Sequence, residues 1–414
     1  MAFTRALRER IAIKPPLQEG KMGSERLKQR MPMASIPAVV KPELLAWART
    51  TAGYSPSQAA EKLKIPTDRL VAWESGQENL SVPQLRKMAM LYKRPLAAFF
   101  LPAPPVEPEF EIHDFRLSPE TRLSRSPELL QAIRNAHSRR EIAIELYEQI
   151  NDEPPPDFSF KFSVSDDPEQ SAAQLKQFLR VSLPEQKSWP EAESFARWRA
   201  AIERANVLVF QASRISTEVM RAFSVARQPY PVMVLNSSDA QKARIFSMLH
   251  ELTHIALGKE GVCDFHESKD PNLDVEVFCN RIAGEMLVPR SALIGEPELK
   301  GAVDAEDVES LASRYRVSRE VVLRRLLICG KIKQSFYDRM FSVYRQQYES
   351  IKEAQKAKEG GPKYSVRAFN AAGPLFARLV LQNYREDKIT ASDVADYLSV
   401  KMGYLPEIEK LAWR

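Results

Sequence analysis

The stretch FSMLHELTHIALG, residues 246–258, decides how the rest of the chain is read. It holds two of the five histidines, His250 and His254, four positions apart, with Glu251 directly after the first. On a helix, positions four apart are neighbours, with Cβ atoms roughly 5–6 Å apart. Two imidazoles at that spacing can bind one Zn²⁺ at about 2.0–2.1 Å. Glu251 then falls where a general base for an activated water belongs. The competing reading, two histidines satisfied inside a core helix, requires an accident of spacing. With so few histidines, His-Glu-x-x-His arises by chance somewhere in such a chain on the order of 1 time in 200.

A catalytic zinc needs a third protein ligand and one open position. A third histidine close behind the motif is excluded: Leu257 occupies the glycine position of that pattern, and Glu260, followed by Gly261, stands where the histidine would fall. Two sources remain. Cys263 and His266, in CDFH, follow Gly258 and Gly261, and their loop would have to fold back. Glu276 lies in LDVEVFCNRIAGEMLVP, which reads as a second helix ended by Pro289, with Glu276, Cys279, Asn280 and Ala283 along one face. Glu276 is the better placed, because His-His-Glu drawn from two helices is a known catalytic zinc set. Asn280, one turn after Glu276, is placed to hydrogen-bond a ligand.

Upstream of the motif the pattern changes to strands. The runs NVLVFQAS (206–213), AFSVA (222–226) and PVMVLNSS (231–238) are rich in Val, Leu and Phe and bounded by turn residues. The last precedes the motif helix closely enough to be an edge that takes an extended substrate as an added strand. An ordinary core strand fits its periodicity equally well. Segments 127–149 and 168–205 read as helices, and LPAPPVEPEFEIHDF, with four prolines in fifteen residues, reads as a linker.

Composition places the chain among globular proteins. It has 414 residues, too many for one ordinary core, with 44% hydrophobic and 28% charged residues. No run approaches about 18 consecutive apolar residues, which argues against a membrane span. The N-terminus lacks the apolar core of a secretory signal. Three cysteines, Cys263, Cys279 and Cys329, form no disulfide framework, so a reducing cytoplasm is the expected compartment. The net charge of +6 is uneven. Residues 1–40 carry eight Lys and Arg against three Glu, and residues 41–101 carry nine basic against five acidic side chains, which leaves the remainder net acidic. A polyanion partner is therefore sought in the first quarter of the chain, although a merely solvated basic tail fits residues 1–40 as well. MASIPAVVKPELLAWAR, from Met33, reads like a natural start, and residues 1–32 read as an extension or an arm.

From residue 41 to 101 the pattern is helical and compact. Pro42 suits a first helical turn. Leu44, Leu45 and Ala48 follow an amphipathic spacing. Ser55 is the expected N-cap of PSQAAEKL, and a short turn leads to a third helix over 67–74 that stops at Gly76. Helices around 82–91 and 95–100 would close a small bundle. Through LAWART-AG-S-QAAEKL and LVAWESG this stretch resembles the five-helix, repressor-type helix-turn-helix domain of the Xre and lambda-repressor family. The resemblance implies that Thr67, Asp68, Arg69 and Ala72 face the major groove of double-stranded DNA and that Gln58 reaches a phosphate. Thr67 and Arg69 are the credible base readers, since Asp68 repels phosphates and Ala72 offers only apolar contact. A protein-docking role for the bundle is the alternative. Repressor-type domains often act as dimers, so a homodimer is an expected assembly, although no heptad repeat demands one.

RIFSMLHELTHIALG followed by E-x-x-C-N-R-I-A-G-E-M-L-V-P resembles the ImmA/IrrE family of zinc metallopeptidases. The family pattern is His-Glu-x-x-His, then Glu-x-x-Ala-Asn/Asp-x-Phe-Ala, then Leu-x-x-Pro. Cys279 stands here for the alanine and Ile282 for the phenylalanine. The resemblance implies one Zn²⁺ per chain held by His250, His254 and Glu276, with Glu251 as the base. The expected fold is multidomain, mainly α with α+β. A repressor-type bundle is followed by a thermolysin-like zincin domain with a small sheet and then a helical C-terminal region. The expected boundaries are a basic tail over 1–40, the helix-turn-helix domain over 41–102, a proline-rich linker over 103–126 and the peptidase domain over 127–298. A helical extension over 299–361 and a C-terminal helical unit over 362–414 follow. The function implied is regulatory proteolysis of a specific repressor or other regulatory protein. The alternative is an antitoxin-like regulator that binds DNA and a toxin, with the zinc site secondary. An intact Glu251 favours proteolysis, since a binding role has no need of a general base.

Overall fold

Leu44, Leu45 and Ala48 are buried on the first helix of the N-terminal bundle, where the amphipathic spacing places them. The computed structural model describes residues 37–105, 113–114, 126–258, 261–263, 273–356 and 363–413. The basic tail lies almost wholly outside these residues, as do His266 and most of the proline-rich linker. Helices α1 (Pro42–Thr51), α2 (Pro56–Leu63), α3 (Thr67–Glu74) and α4 (Val82–Tyr92) and a 3-10 turn, Leu96–Phe100, surround a core that includes Leu70, Trp73, Leu85, Met88 and Phe99. Ser55 and Ser81 each form a reciprocal capping box at the start of α2 and α4, with Gln58 and Gln84. Arg49 ties α1 to α3 through Glu74 at 2.8 Å and donates to the Tyr54 carbonyl. Gly76 ends α3 at φ 75°, where a Cβ would also lie 3.0 Å from the Pro42 ring.

The body of the chain is mainly helical around one small mixed sheet. Strand β1 (His113–Asp114) comes from the linker. Helices α5 (Pro127–Asn151), α6 (Pro168–Phe178), α7 (Leu183–Ser188) and α8 (Glu191–Glu203) precede β2 (Leu208–Ala212), β3 (Ala222–Val225) and β4 (Val232–Asn236). The helix with the opening motif is α9 (Gln241–Ala256), followed by β5 (Gly261–Cys263) and α10 (Leu273–Leu287). Helices α11 (Arg290–Leu293), α12 (Ala305–Tyr315), α13 (Arg319–Ile328) and α14 (Gln334–Lys356) come next, and α15 (Tyr364–Ala372), α16 (Pro374–Arg385), α17 (Ala391–Tyr397) and α18 (Leu405–Ala412) end the chain. Among the described residues no helix is long and apolar enough to cross a membrane.

The sheet order is β1-β5-β3-β4-β2. β2 runs parallel to β4, β3 runs antiparallel to both β4 and β5, and β1 runs parallel to β5. The expectation that PVMVLNSS forms a substrate-taking edge is thereby corrected: β4 is bonded on both sides. All five of its residues, four apolar ones and Asn236, are buried, and such a continuous buried run belongs to a strand covered on both faces.

Alternation along the strands divides two cores. Val209, Ala222, Met233 and Leu235 face α9 and share a cluster with α6, α8, α10 and α12–α14. Leu208, Phe210, Phe223 and Val234 face the other way, into a cluster with Ile133 of α5 and Phe376 and Val380 of α16. The C-terminal helices thus cover the face of the sheet opposite the motif helix. Their anchor is polar. Arg199 donates to the carbonyls of Val209 and Asn370 and pairs with Glu203, both side chains fully buried. Glu203 in turn accepts from the Leu375 amide at 3.2 Å.

Candidate metal centre

Every residue of α9 from Ser247 to Ala256 is buried, so the helix is enclosed on all sides between the sheet and α10. His250, Glu251 and His254 have no solvent exposure. Thr253, between them, returns its hydroxyl to the Leu249 carbonyl at 3.0 Å, as buried hydroxyls on helices do. Helix α10 lies against α9 and presents Glu276 and Asn280, both half-buried, with Cys279 fully buried beside them.

The donor atoms converge. His250 Nε2 and His254 Nε2 are 3.1 Å apart. Glu276 Oε2 lies 3.3 Å from His250 Nε2, and its Oε1 lies 3.2 Å from His254 Nε2. A tetrahedral zinc with bonds of about 2.0–2.1 Å needs ligands about 3.3–3.4 Å apart along each edge. The three spacings, with Glu276 turning one oxygen to each imidazole, lie close to that edge length, and two imidazoles with one carboxylate suit zinc chemically. Among the described residues this is the group of His, Cys, Asp and Glu able to hold a metal. Of the other third-ligand source, Cys263 lies on β5 and His266 falls outside the described residues.

His250 Nδ1 is 3.1 Å from Asn280 Oδ1. An amide oxygen there accepts the Nδ1 proton and turns the Nε2 lone pair toward the cluster. Burial pushes the Glu276 carboxyl up, but its contact with the imidazoles of His250 and His254 outweighs this and holds the group well below the usual carboxylate range. Glu251 shares a helix face with His254, one turn away, inside the same enclosure.

Sequence reasoning missed the supports of α10. Lys176 donates to the Met286 carbonyl at 2.8 Å and to Gln186 at 2.7 Å, while Gln186 donates to the carbonyls of Leu287 and Tyr315. These groups satisfy the last carbonyls of the helix, and burial pushes the Lys176 ammonium down to about 7. Glu285 pairs with Arg325 of α13 and accepts from the Arg290 amide. The extended segment over 158–164 was also missed. Phe162 stacks edge-on to Phe278, and its amide donates to the Ala256 carbonyl at 3.4 Å, close to both His254 and Glu276 in the chain. The signal was in FSFKFSV, where aromatics alternate with polar residues.

In the N-terminal bundle, Thr67, Asp68 and Arg69 are exposed on the first turn of α3, and Ala72 is half-buried. Gln58 Oε1 accepts from the Ser55 amide within the capping box, which leaves the amide nitrogen as its outward donor. Arg69 reaches Glu78 at 3.3 Å and lies 5.5 Å over the Trp73 ring.

Residues 202–327 match the family model of the IrrE N-terminal-like domain, a peptidase family. The match spans strands β2–β5 with α9 and α10 and supports the ImmA/IrrE resemblance for this part of the chain; it indicates a metallopeptidase-type domain. Comparison with the curated proteins and with the solved structures gives no significant match.

Proposed function

We propose that this chain is a regulatory zinc-dependent endopeptidase that cleaves a specific repressor or other regulatory protein in the cytoplasm. The observation that carries the reading is the convergence of His250, His254 and Glu276 within 3.1–3.3 Å, directly beside Glu251. These three would hold one Zn²⁺. When bound, the metal supplies Lewis-acid chemistry, lowering the pKa of water and polarising a scissile carbonyl. Glu251 takes the proton from the attacking water and returns it to the leaving amine. Asn280 keeps His250 in the tautomer that offers Nε2. The enclosure of α9 excludes bulk water from these transfers.

A second reading, an antitoxin-like regulator that binds double-stranded DNA and a toxin, draws on the exposure of Thr67 and Arg69 on α3 and on the basic excess of the first quarter of the chain. As a repressor-type bundle, that part would dock α3 in the major groove, as a homodimer on paired half-sites. Elemental analysis of purified wild type, His254→Ala, Glu276→Gln and Glu251→Gln tests the first reading. One zinc per chain, lost in the first two variants and kept in the third, is the expected result. A wild type that holds no zinc after supplementation overturns it.

A further inference from the structure

Both helices that carry the candidate ligands carry one of them near an end. α9 stops two residues after His254, and α10 starts three residues before Glu276. Terminal turns fray more readily than interior ones, so an imidazole and a carboxylate held there need support from outside their own helices. Asn280 and His250 tie the two helices together one turn further in. At the outer level the tie comes from elsewhere in the chain. The Phe162 amide donates at 3.4 Å to the carbonyl of Ala256, the last residue of α9. Its ring meets Phe278 of α10 edge-on, with centroids 5.6 Å apart and planes at 70°. Two residues of helix separate Ala256 from His254 and Phe278 from Glu276, about 3 Å of axial rise in each case.

Phe162 is itself held from behind. Phe158 is buried and Phe160 and Phe162 are half-buried, while Ser159, Lys161 and Ser163 between them are exposed. The row of rings runs from Phe158 to Phe178 at the end of α6 (5.6 Å), from Phe178 to Phe160 (5.3 Å) and from Phe160 to Phe162 (5.5 Å). The Phe158 amide donates to Gln228 Oε1 at 3.0 Å, which fixes the start of the row to the loop between β3 and β4. We propose that Phe162 is a positioning residue for the metal centre, a brace that sets the separation of His254 and Glu276. The inference rests on the metal-centre reading and adds to it a residue from outside the matched segment 202–327. The ring carries more of the brace than the amide: a 3.4 Å bond is long, whereas the ring pair has a geometry that aromatic pairs prefer. Metal sites tolerate errors of only about 0.2 Å in ligand distance. Without the brace the empty site samples a wider range of His254–Glu276 separations. Metal binding must first narrow that range, and the cost appears as lost affinity.

The test uses the full-length chain, stripped of metal. It is titrated with zinc against a chromogenic chelator, and with cobalt by visible absorption, whose bands report ligand geometry. Phe162→Leu keeps most of the apolar volume and removes the ring. It should bind zinc about 3–10-fold more weakly, the worth of one edge-to-face pair, with shifted cobalt bands. Phe162→Tyr keeps the ring and should match wild type in both measurements. Phe158→Leu makes the same change at the far end of the row, and should lower the melting temperature while leaving zinc affinity and cobalt bands as in wild type. Unchanged affinity and bands in Phe162→Leu overturn the inference. So does an equal loss in Phe162→Tyr or in Phe158→Leu, which would show a general loosening rather than a brace. A wild type that takes up neither metal overturns the metal-centre reading, and the inference with it.

Discussion

Asn280 Oδ1 lies 3.1 Å from His250 Nδ1, so a residue on one helix sets the tautomer of a histidine on another. The contact joins α10 to α9 at the point where their donor atoms meet, and it makes ring orientation a property of both helices. Outer partners of this kind are worth about 10–100-fold in metal affinity. Asn280→Ala should therefore bind zinc about 10–100-fold more weakly than wild type while keeping its fold, as read by competition with a chromogenic chelator. An unchanged affinity would show that the amide does not orient the ring.

Glu251→Gln keeps the volume of the side chain and removes its basicity. Zinc content should stay at one per chain, and cleavage of the physiological partner should slow by about 10²–10⁴, the usual worth of a positioned general base. A time course by gel, with equal zinc in both proteins, checks it. Retained cleavage would move the base to another residue.

Gly373 sits at φ 85°, and a Cβ there would lie 2.7 Å from the Val209 carbonyl and 2.9 Å from Arg199 Nη2. Gly373→Ala should destabilise the protein by about 1–3 kcal/mol through backbone strain alone, with a further loss as the α15–α16 corner lifts from β2. The melting temperature measured by circular dichroism should fall. An equal melting temperature would mean that this corner does not hold the C-terminal helices in place.

Burial, joined by the charge of Arg140, pushes the His137 imidazole down to about 4, whereas in an unfolded chain it titrates near 6.5. Between these values the unfolded state carries the proton and the native state does not, so native stability falls as the pH drops from about 6.5 toward 4. The urea midpoint of wild type should decline across that window, and His137→Leu should decline less. The difference between the two proteins isolates this group from carboxylates, which contribute mostly at the acid end. Parallel curves would exclude it.

Arg69→Ala removes the guanidinium best placed on α3 for a guanine edge, and a bidentate contact of that kind is worth about 1–3 kcal/mol. If the bundle reads DNA, affinity for a selected operator should fall by that amount, while affinity for random duplex changes little. Fluorescence anisotropy at two salt concentrations checks it. The same affinity for both duplexes in both proteins would favour protein docking by this bundle.

Much of this architecture is written locally. Ser55 and Ser81 with glutamines three positions on, Gly76 after Trp73, and the four-residue spacing of His250 and His254 each act within one or two helical turns, so single windows of sequence carry them. Glu276 needed a second helix brought alongside the first, and its pairing rested on a family resemblance as well as on spacing. The position of β4 was not legible. An apolar run reports burial, and burial does not say which neighbours a strand takes. The docking of α15–α18 was hidden for a similar reason: Phe376 and Val380 are apolar at helical spacing, but their partners Phe210 and Phe223 lie far away in the chain. A strand at His113–Asp114 inside a proline-rich stretch is set by its partner β5 rather than by its own composition.

Glu276 is carried near one end of α10, while Lys176, Gln186 and Arg325 hold the other. At 1.5 Å per residue those ends are about 15 Å apart, so the position of a carboxylate in the metal face depends on a clamp that never touches it. Slippage by a single residue at the clamp would carry Glu276 out of reach of both imidazoles. Metal retention is then a gauge of the whole body. Anything that frees the distal end of α10, whether heat, denaturant or a substitution of Lys176, should release zinc before the helices themselves melt.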